Sequence, residues 1–135
     1  MTTREDIESY LIRMDVEYEE IEESMWVVRT PENGTPVVVD YSPPLVLLRL
    51  KVMDLPADAD DVRLAAFYRR MLELNAGDIV HGSYGIEAQE VVLSDALELE
   101  DLDFSELRSS YESLLLAASS HLPGLAELIP VVQEG

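Results

Sequence analysis

The sequence predicts an α+β fold, with helices packed on an antiparallel sheet in the order α-β-β-β-β-α-β-β-α. Three observations predict it. The hydrophobic period changes from helical to alternating at Val16, and back to helical after the run 45–53. Short polar or Gly/Pro turns join the alternating runs, which makes them hairpins. No repeat, linker or low-complexity tract divides the 135 residues, so one domain over 1–135 is expected.

The first helix is expected from Thr3, whose hydroxyl can cap the first turn, with Glu5, Asp6 and Glu8 complementing the positive end of the dipole. Ile7, Tyr10, Leu11 and Met14 form its apolar stripe, and the helix should stop near Asp15. VEYEEI (16–21) and MWVVRT (25–30) follow as strands. Asn33-Gly34 is the preferred pair for a type I′ turn. A two-residue loop there pairs Glu32 with Thr35 and brings VVVDY (37–41) back alongside. Pro43 and Pro44 turn the chain into LVLLRLKVM (45–53).

The second helix is expected over Asp58–Asn75, with Leu64, Phe67, Tyr68, Met71, Leu72 and Leu74 on a broad apolar face. Strands at 79–87 and 90–94 form a second hairpin. Asp103 and Glu106 make a capping box for the third helix, with Leu102 and Leu107 at the two positions of a hydrophobic staple. Pro123 should end that helix.

Composition narrows the function. Twenty-eight acids against nine bases give a net charge of −19, a field that repels phosphate backbones and anionic bilayers. Neither nucleic acid nor membrane is therefore an expected partner. The acidity fits a solubility or high-salt device, and equally a carrier that stays soluble while exposing an apolar surface. There is no cysteine, which excludes disulfides and thiolate chemistry. The opening MTTREDIE lacks an apolar stretch, so no signal peptide is expected and the cytoplasm is the expected location.

No motif carries catalysis. HGSYG (81–85) suggests a hydrolase built on His81 and Ser83, but a nucleophile elbow needs Gly-x-Ser-x-Gly on a strand-to-helix turn. Here the continuation is strand-like, and glycines in a strand read as a bulge or a relief of crowding. DLPADADD (54–61) lacks the glycine and glutamate of a calcium loop and reads as a helix start. Two separated histidines build no zinc site. No catalytic residue, metal or cofactor is expected.

The strands say more. If Val46, Leu48, Leu50 and Val52 face the helices, then Leu45, Leu47, Arg49, Lys51 and Met53 face away. The short turns carry that parity back to Val38 and Asp40, and to Met25, Val27 and Arg29. The turn at 33–34 puts Val27, Asp40 and Leu47 in one row and Arg29, Val38 and Arg49 in the next, with Asp40 diagonally between two arginines. This apolar face fenced by charge is the expected partner surface: Met25, Val27, Arg29, Val38, Asp40, Leu47 and Arg49.

The segment LLELNAGDIVHGSYGIEAQEVVLSDALELEDLDFSELRSSYESLLLAA resembles YbjN-type proteins, which share the fold of the small acidic class I chaperones of type III secretion. The likeness spans roughly residues 60–122 and the N-terminal half by element order. It rests on a helix ending at Leu72–Asn75, a Gly-aromatic-Gly strand at Gly82–Gly85, the Val-Val-Leu strand 91–93, an acidic-leucine connector and a last amphipathic helix. The resemblance implies a non-enzymatic, protein-binding homodimer, chaperone-like or regulatory, which acts on a segment of a client. Leu64, Phe67, Tyr68 and Met71 are then the expected dimer interface. The alternatives are a regulatory or structural homodimer without a client, and the hydrolase at His81–Ser83.

Overall fold

The computed structural model describes residues 1–29, 35–55 and 58–129. Helix α1 (Arg4–Arg13) leads into strands β1 (Glu17–Glu22), β2 (Met25–Arg29), β3 (Val37–Ser42) and β4 (Leu45–Asp54). Helix α2 (Asp61–Gly77), strands β5 (Ser83–Glu87) and β6 (Glu90–Glu98), and helix α3 (Phe104–Leu128) complete the chain. The fold class and the element order are those the sequence predicts. The strands form one antiparallel sheet in the order β1-β2-β3-β4-β6-β5. The acidic run EYEEIE thus becomes an edge strand, where charge discourages strand addition.

One face of the sheet carries Trp26, Val28, Val37, Val39, Val46, Leu48, Leu50, Val91, Leu93 and Tyr84, all buried. The helices cover it with Ile7 and Leu11 of α1, Phe67, Met71 and Leu74 of α2, and Leu107, Tyr111, Leu114 and Leu125 of α3, in one continuous core. Capping boxes start α1 and α3: Thr3 and Asp6 exchange side-chain and backbone hydrogen bonds, as do Asp103 and Glu106.

Several boundaries and pairings differ from the sequence reading, each for a physical reason. Helix α2 starts at Asp61 because Asp60, not Asp58, caps it by accepting the Arg63 N–H. Strand β5 starts only at Ser83, because Gly82 sits at φ +83° and breaks the extended backbone. Strand β6 runs on to Glu98 because the first half of β4 needs a partner, and Leu45 pairs with Glu98. Pro123 lies inside α3 instead of ending it; a proline removes one N–H, and burial of Leu125 and Ile129 holds the last turns down.

Between β2 and β3 the register is shifted by two residues: Met25 opposes Asp40, and Val27 opposes Val38. The shift is even, so every side chain keeps its face. The Asn33-Gly34 turn and its flanking pairs fall on 30–34 and lie outside the described residues. Late in β4 a bulge between Lys51 and Met53 puts Met53 opposite buried Val91. Met53 therefore packs toward the core instead of facing away.

Candidate functional site

The face of the sheet turned away from the helices has the composition that alternation predicts. Two rows cross it. Met25, Asp40, Leu47 and Ala96 are paired in one; Val27, Val38, Arg49, Ser94 and Ser83 in the next. Met25, Val27, Val38, Asp40 and Leu47 are half-buried, while Arg29 and Arg49 are exposed. The structure thus brings all seven predicted residues onto one face. The charge pattern within it differs: Asp40 lies between Met25 and Leu47, not between two arginines. Arg49 instead reaches Glu87 at 2.8 Å, and Arg29 lies 4.0 Å from Glu19.

Alternation within 25–53 could not reveal that the part of this face next to Leu47 and Arg49 is built from small residues. Strands β5 and β6 contribute Ser83, Gly85, Ser94 and Ala96, so the apolar ridge of β2, β3 and β4 falls away into a trough. Two open hollows result. One of about 450 Å³ is lined by Leu47, Arg49, Ser83, Ser94 and Ala96. The other, about 480 Å³, is lined by Val38, Arg49, Lys51, Val52, Glu90 and Val92. Arg49 stands between them.

The four residues expected at a dimer interface separate. Phe67 and Met71 are buried in the chain's own core, Leu64 is half-buried against it, and Tyr68 is at the surface. Leucine and aromatic spacing on α2 marks the core side; the exposed side bears Val62, Tyr68 and Leu72.

The HGSYG stretch is structural. A Cβ on Gly82 would lie 2.5 Å from the Ser94 carbonyl oxygen and 3.0 Å from Leu114 Cδ2, at a positive φ, so only glycine fits. Ser83 is a strand residue paired with Ser94, and no hydrogen bond joins it to His81. The histidine with partners is His121 of α3. Its Nε2 lies 2.6 Å from Asp78 Oδ2, and its Nδ1 lies 2.8 Å from the Tyr84 hydroxyl. The order carboxylate–imidazole–hydroxyl resembles a catalytic relay, but its hydroxyl is a buried phenol. Burial, with the charge of Asp78 adding to it, pushes the Tyr84 pKa up. A neutral imidazole satisfies every group, with Nε2–H donated to Asp78 and Nδ1 accepting from Tyr84. The relay ties α2, β5 and α3 together.

Asn75 explains the other half of the motif. Its side-chain Oδ1 accepts the Tyr84 N–H at 2.7 Å and its Nδ2 donates to the Tyr84 carbonyl at 3.3 Å. The amide stands in for a neighbouring strand on the outer edge of β5. Among the described residues no three His, Asp or Glu side chains are placed to hold a metal ion, and no helix is long and apolar enough to cross a membrane.

A family model, CesT_Tir_1, matches residues 1–130. No curated protein matches the chain by sequence. Among solved structures, the chain is similar to one in the heterodimeric ExoU–SpcU complex from the type III secretion system of Pseudomonas aeruginosa. The TM-score is 0.67 at 14% identity, covering 87% of this chain and 95% of that one. It is similar to a chain of the ExsC–ExsE complex, with TM-score 0.64, 17% identity and coverage of 93% and 97%. YbjN from E. coli gives 0.66 at 10% identity, with coverage of 93% and 92%. At these identities the likeness is one of fold.

Proposed function

The chain belongs to the CesT_Tir_1 family of type III secretion chaperones, and from that premise we propose that it is a non-enzymatic binding protein acting on a segment of another protein. The observation that carries this reading is the outward sheet face, where Met25, Val27, Val38 and Leu47 form a half-buried apolar ridge fenced by Arg29, Asp40 and Arg49. Solved chains of similar fold include members of the ExoU–SpcU and ExsC–ExsE complexes, which supports a protein as the partner. The cytoplasm suits such a role.

Energetics limits what the ridge does alone. Full burial of an exposed aliphatic side chain is worth roughly 1.5–3 kcal/mol, and these four are already half-covered. Association itself costs about 4 kcal/mol or more. Apolar contact therefore needs help from the charged fence, and micromolar affinity is the expected ceiling.

The test is the double variant Val27→Asp/Leu47→Asp. Partners cross-linked to the wild-type chain are identified, purified and titrated against both proteins. The variant is expected to keep its fold and lose the partner. Undiminished affinity would remove this face from the site, and collapse of the fold would mean the face belongs to the core.

We also propose self-association through the exposed side of α2, where Val62 and Leu72 are 80% and 68% exposed beside Tyr68. Sedimentation at micromolar concentration is expected to give about twice the 15.2 kDa chain mass. A 15.2 kDa species at every concentration would exclude it.

A further inference from the structure

Val92 is an outward-facing residue that is only 7% exposed. It pairs with Lys51 on one side and Gly85 on the other. Gly85 gives no cover, because a Cβ there would meet nothing within 4 Å. The cover is ionic. Arg49 reaches across to Glu87 at 2.8 Å, and Lys51 reaches Glu90 at 3.2 Å and Asp54 at 2.9 Å. The register puts the Val92–Gly85 step between the roots of Arg49 and Glu87, so that pair crosses above it, while Lys51–Glu90 runs alongside Val92.

Two features mark this cover as made to open. Glu87 and Glu90 oppose each other directly in the β5–β6 ladder, an arrangement that costs energy for two carboxylates. Among the described residues they are held by Arg49 and Lys51, and all four side chains are about half exposed. Pairs of that exposure shift an equilibrium by no more than about fivefold. Beside them opens the aliphatic hollow lined by Pro36, Val38, Val52 and Val92, with Arg49, Lys51 and Glu90 at its rim. Arg29, Arg49 and Lys51 put three of the chain's nine basic residues on this one face of a molecule with net charge −19.

We infer that the pairs Arg49–Glu87 and Lys51–Glu90 are a displaceable strap, and that the segment docking on this face is an acidic–aliphatic stretch of a partner protein. Its carboxylates take Arg49 and Lys51 over from Glu87 and Glu90, and its aliphatic side chains enter the hollow above Val92. The inference rests on the sheet face being the partner surface. It adds the chemistry of the partner and the internal carboxylates that the partner must displace.

The experiment titrates the 15N-labelled full chain with acetyl-Leu-Glu-Leu-Glu-Leu-amide and with its glutamine and lysine counterparts. The glutamate peptide is expected to move the amides of Val38, Arg49 and Val92 and to bind about threefold or more tighter than the glutamine peptide. Glu87→Gln/Glu90→Gln is expected to bind it about two- to fivefold tighter, because the competing carboxylates are gone. Arg49→Gln/Lys51→Gln is expected to erase the preference for glutamate. Opposite signs for the two double variants separate a strap from ion pairs that merely hold the hairpin. Weaker binding by Glu87→Gln/Glu90→Gln, or equal binding of the lysine peptide, overturns the inference. If all three peptides bind equally and Val27→Asp/Leu47→Asp loses them all, the face stands and the strap falls. If no peptide moves an amide on this face, both fall.

Discussion

The two faces of the sheet are made from the same strands and nearly the same residue types, yet they do different work. On the helix side, Val28, Val39, Leu48 and Leu93 lose all contact with solvent. On the outward side, Val27 and Val38 pair in one row, Leu47 lies in the next, and all three stay half-covered. The difference comes from what lies opposite. Three helices cover one face, whereas only charged side chains reach over the other. A face that carries this much aliphatic surface without a covering layer is suited to receive one. Burial in this chain is therefore decided by the second layer, not by strand composition.

Adjacent leucines of β4 give the sharpest way to break that comparison. Leu48→Ala leaves a cavity in the core between sheet and helices and is expected to cost about 2–5 kcal/mol. Leu47→Ala removes a side chain that is only partly buried and has no layer above it, and about 1 kcal/mol or less is expected. Chemical denaturation of the two variants measures both. Equal losses would mean the outward face is packed like a core, and the contrast would fail.

Two glycines, one just before β5 and one within it, sharpen the same contrast. A methyl group on Gly82 meets the Ser94 carbonyl and Leu114 on the helix side, at a backbone angle that alanine dislikes. Gly82→Ala is expected to cost about 1–3 kcal/mol. Gly85 points outward into open space, and Gly85→Ala is expected to be neutral or stabilising by up to about 1 kcal/mol. Melting temperatures that fall by the same amount would show the trough is filled.

What could be read from the sequence follows the same division. Periods and caps are local, so Thr3, Asp103 and Glu106 announced two helices, and alternation sorted residues 25–29 and 37–50 between the faces correctly. Pairing partners are not local. The two-residue slip between β2 and β3 leaves alternation untouched, so nothing in the pattern could report it. Pro123 looked like a stop because a proline's cost is local, whereas the burial of Leu125 that outweighs it is tertiary. At the site, the apolar ridge was legible and the trough was not. The small residues of β5 and β6 matter only because the topology seats that hairpin beside β4. The charge partners failed for the same reason: Asp40 was nearer in sequence, but Glu87 and Glu90 come from beyond α2. Phe67 and Met71 were placed at an interface because a broad apolar helix face does not say which side of it the chain uses itself.

The smallest expected effect lies at the rim where the helix-side face meets the edge strand. Glu20 of β1 pairs in register with Trp26, and both its oxygens lie 2.6 Å from Arg4 Nη2. The same guanidinium stacks over the Trp26 ring with its carbon 5.2 Å from the centroid. Arg4, and then the Ser24 N–H, hold the Glu20 carboxyl below its usual range. A folded-state pKa lower than the unfolded one means the contribution is present above the ordinary carboxylate range and is lost as pH falls through the folded value. Asp6, held down by the Thr3 N–H and hydroxyl, has the same sign. Both groups are solvent-exposed, so the contribution is small. Arg4→Gln is expected to lower the melting temperature slightly at neutral pH. The gap from wild type should close as the solution is acidified below the usual glutamate range, because protonated Glu20 no longer discriminates between the two residues. A gap of constant size down to that pH would assign the loss to the stacking on Trp26 alone, and the ion pair would contribute nothing to the rim.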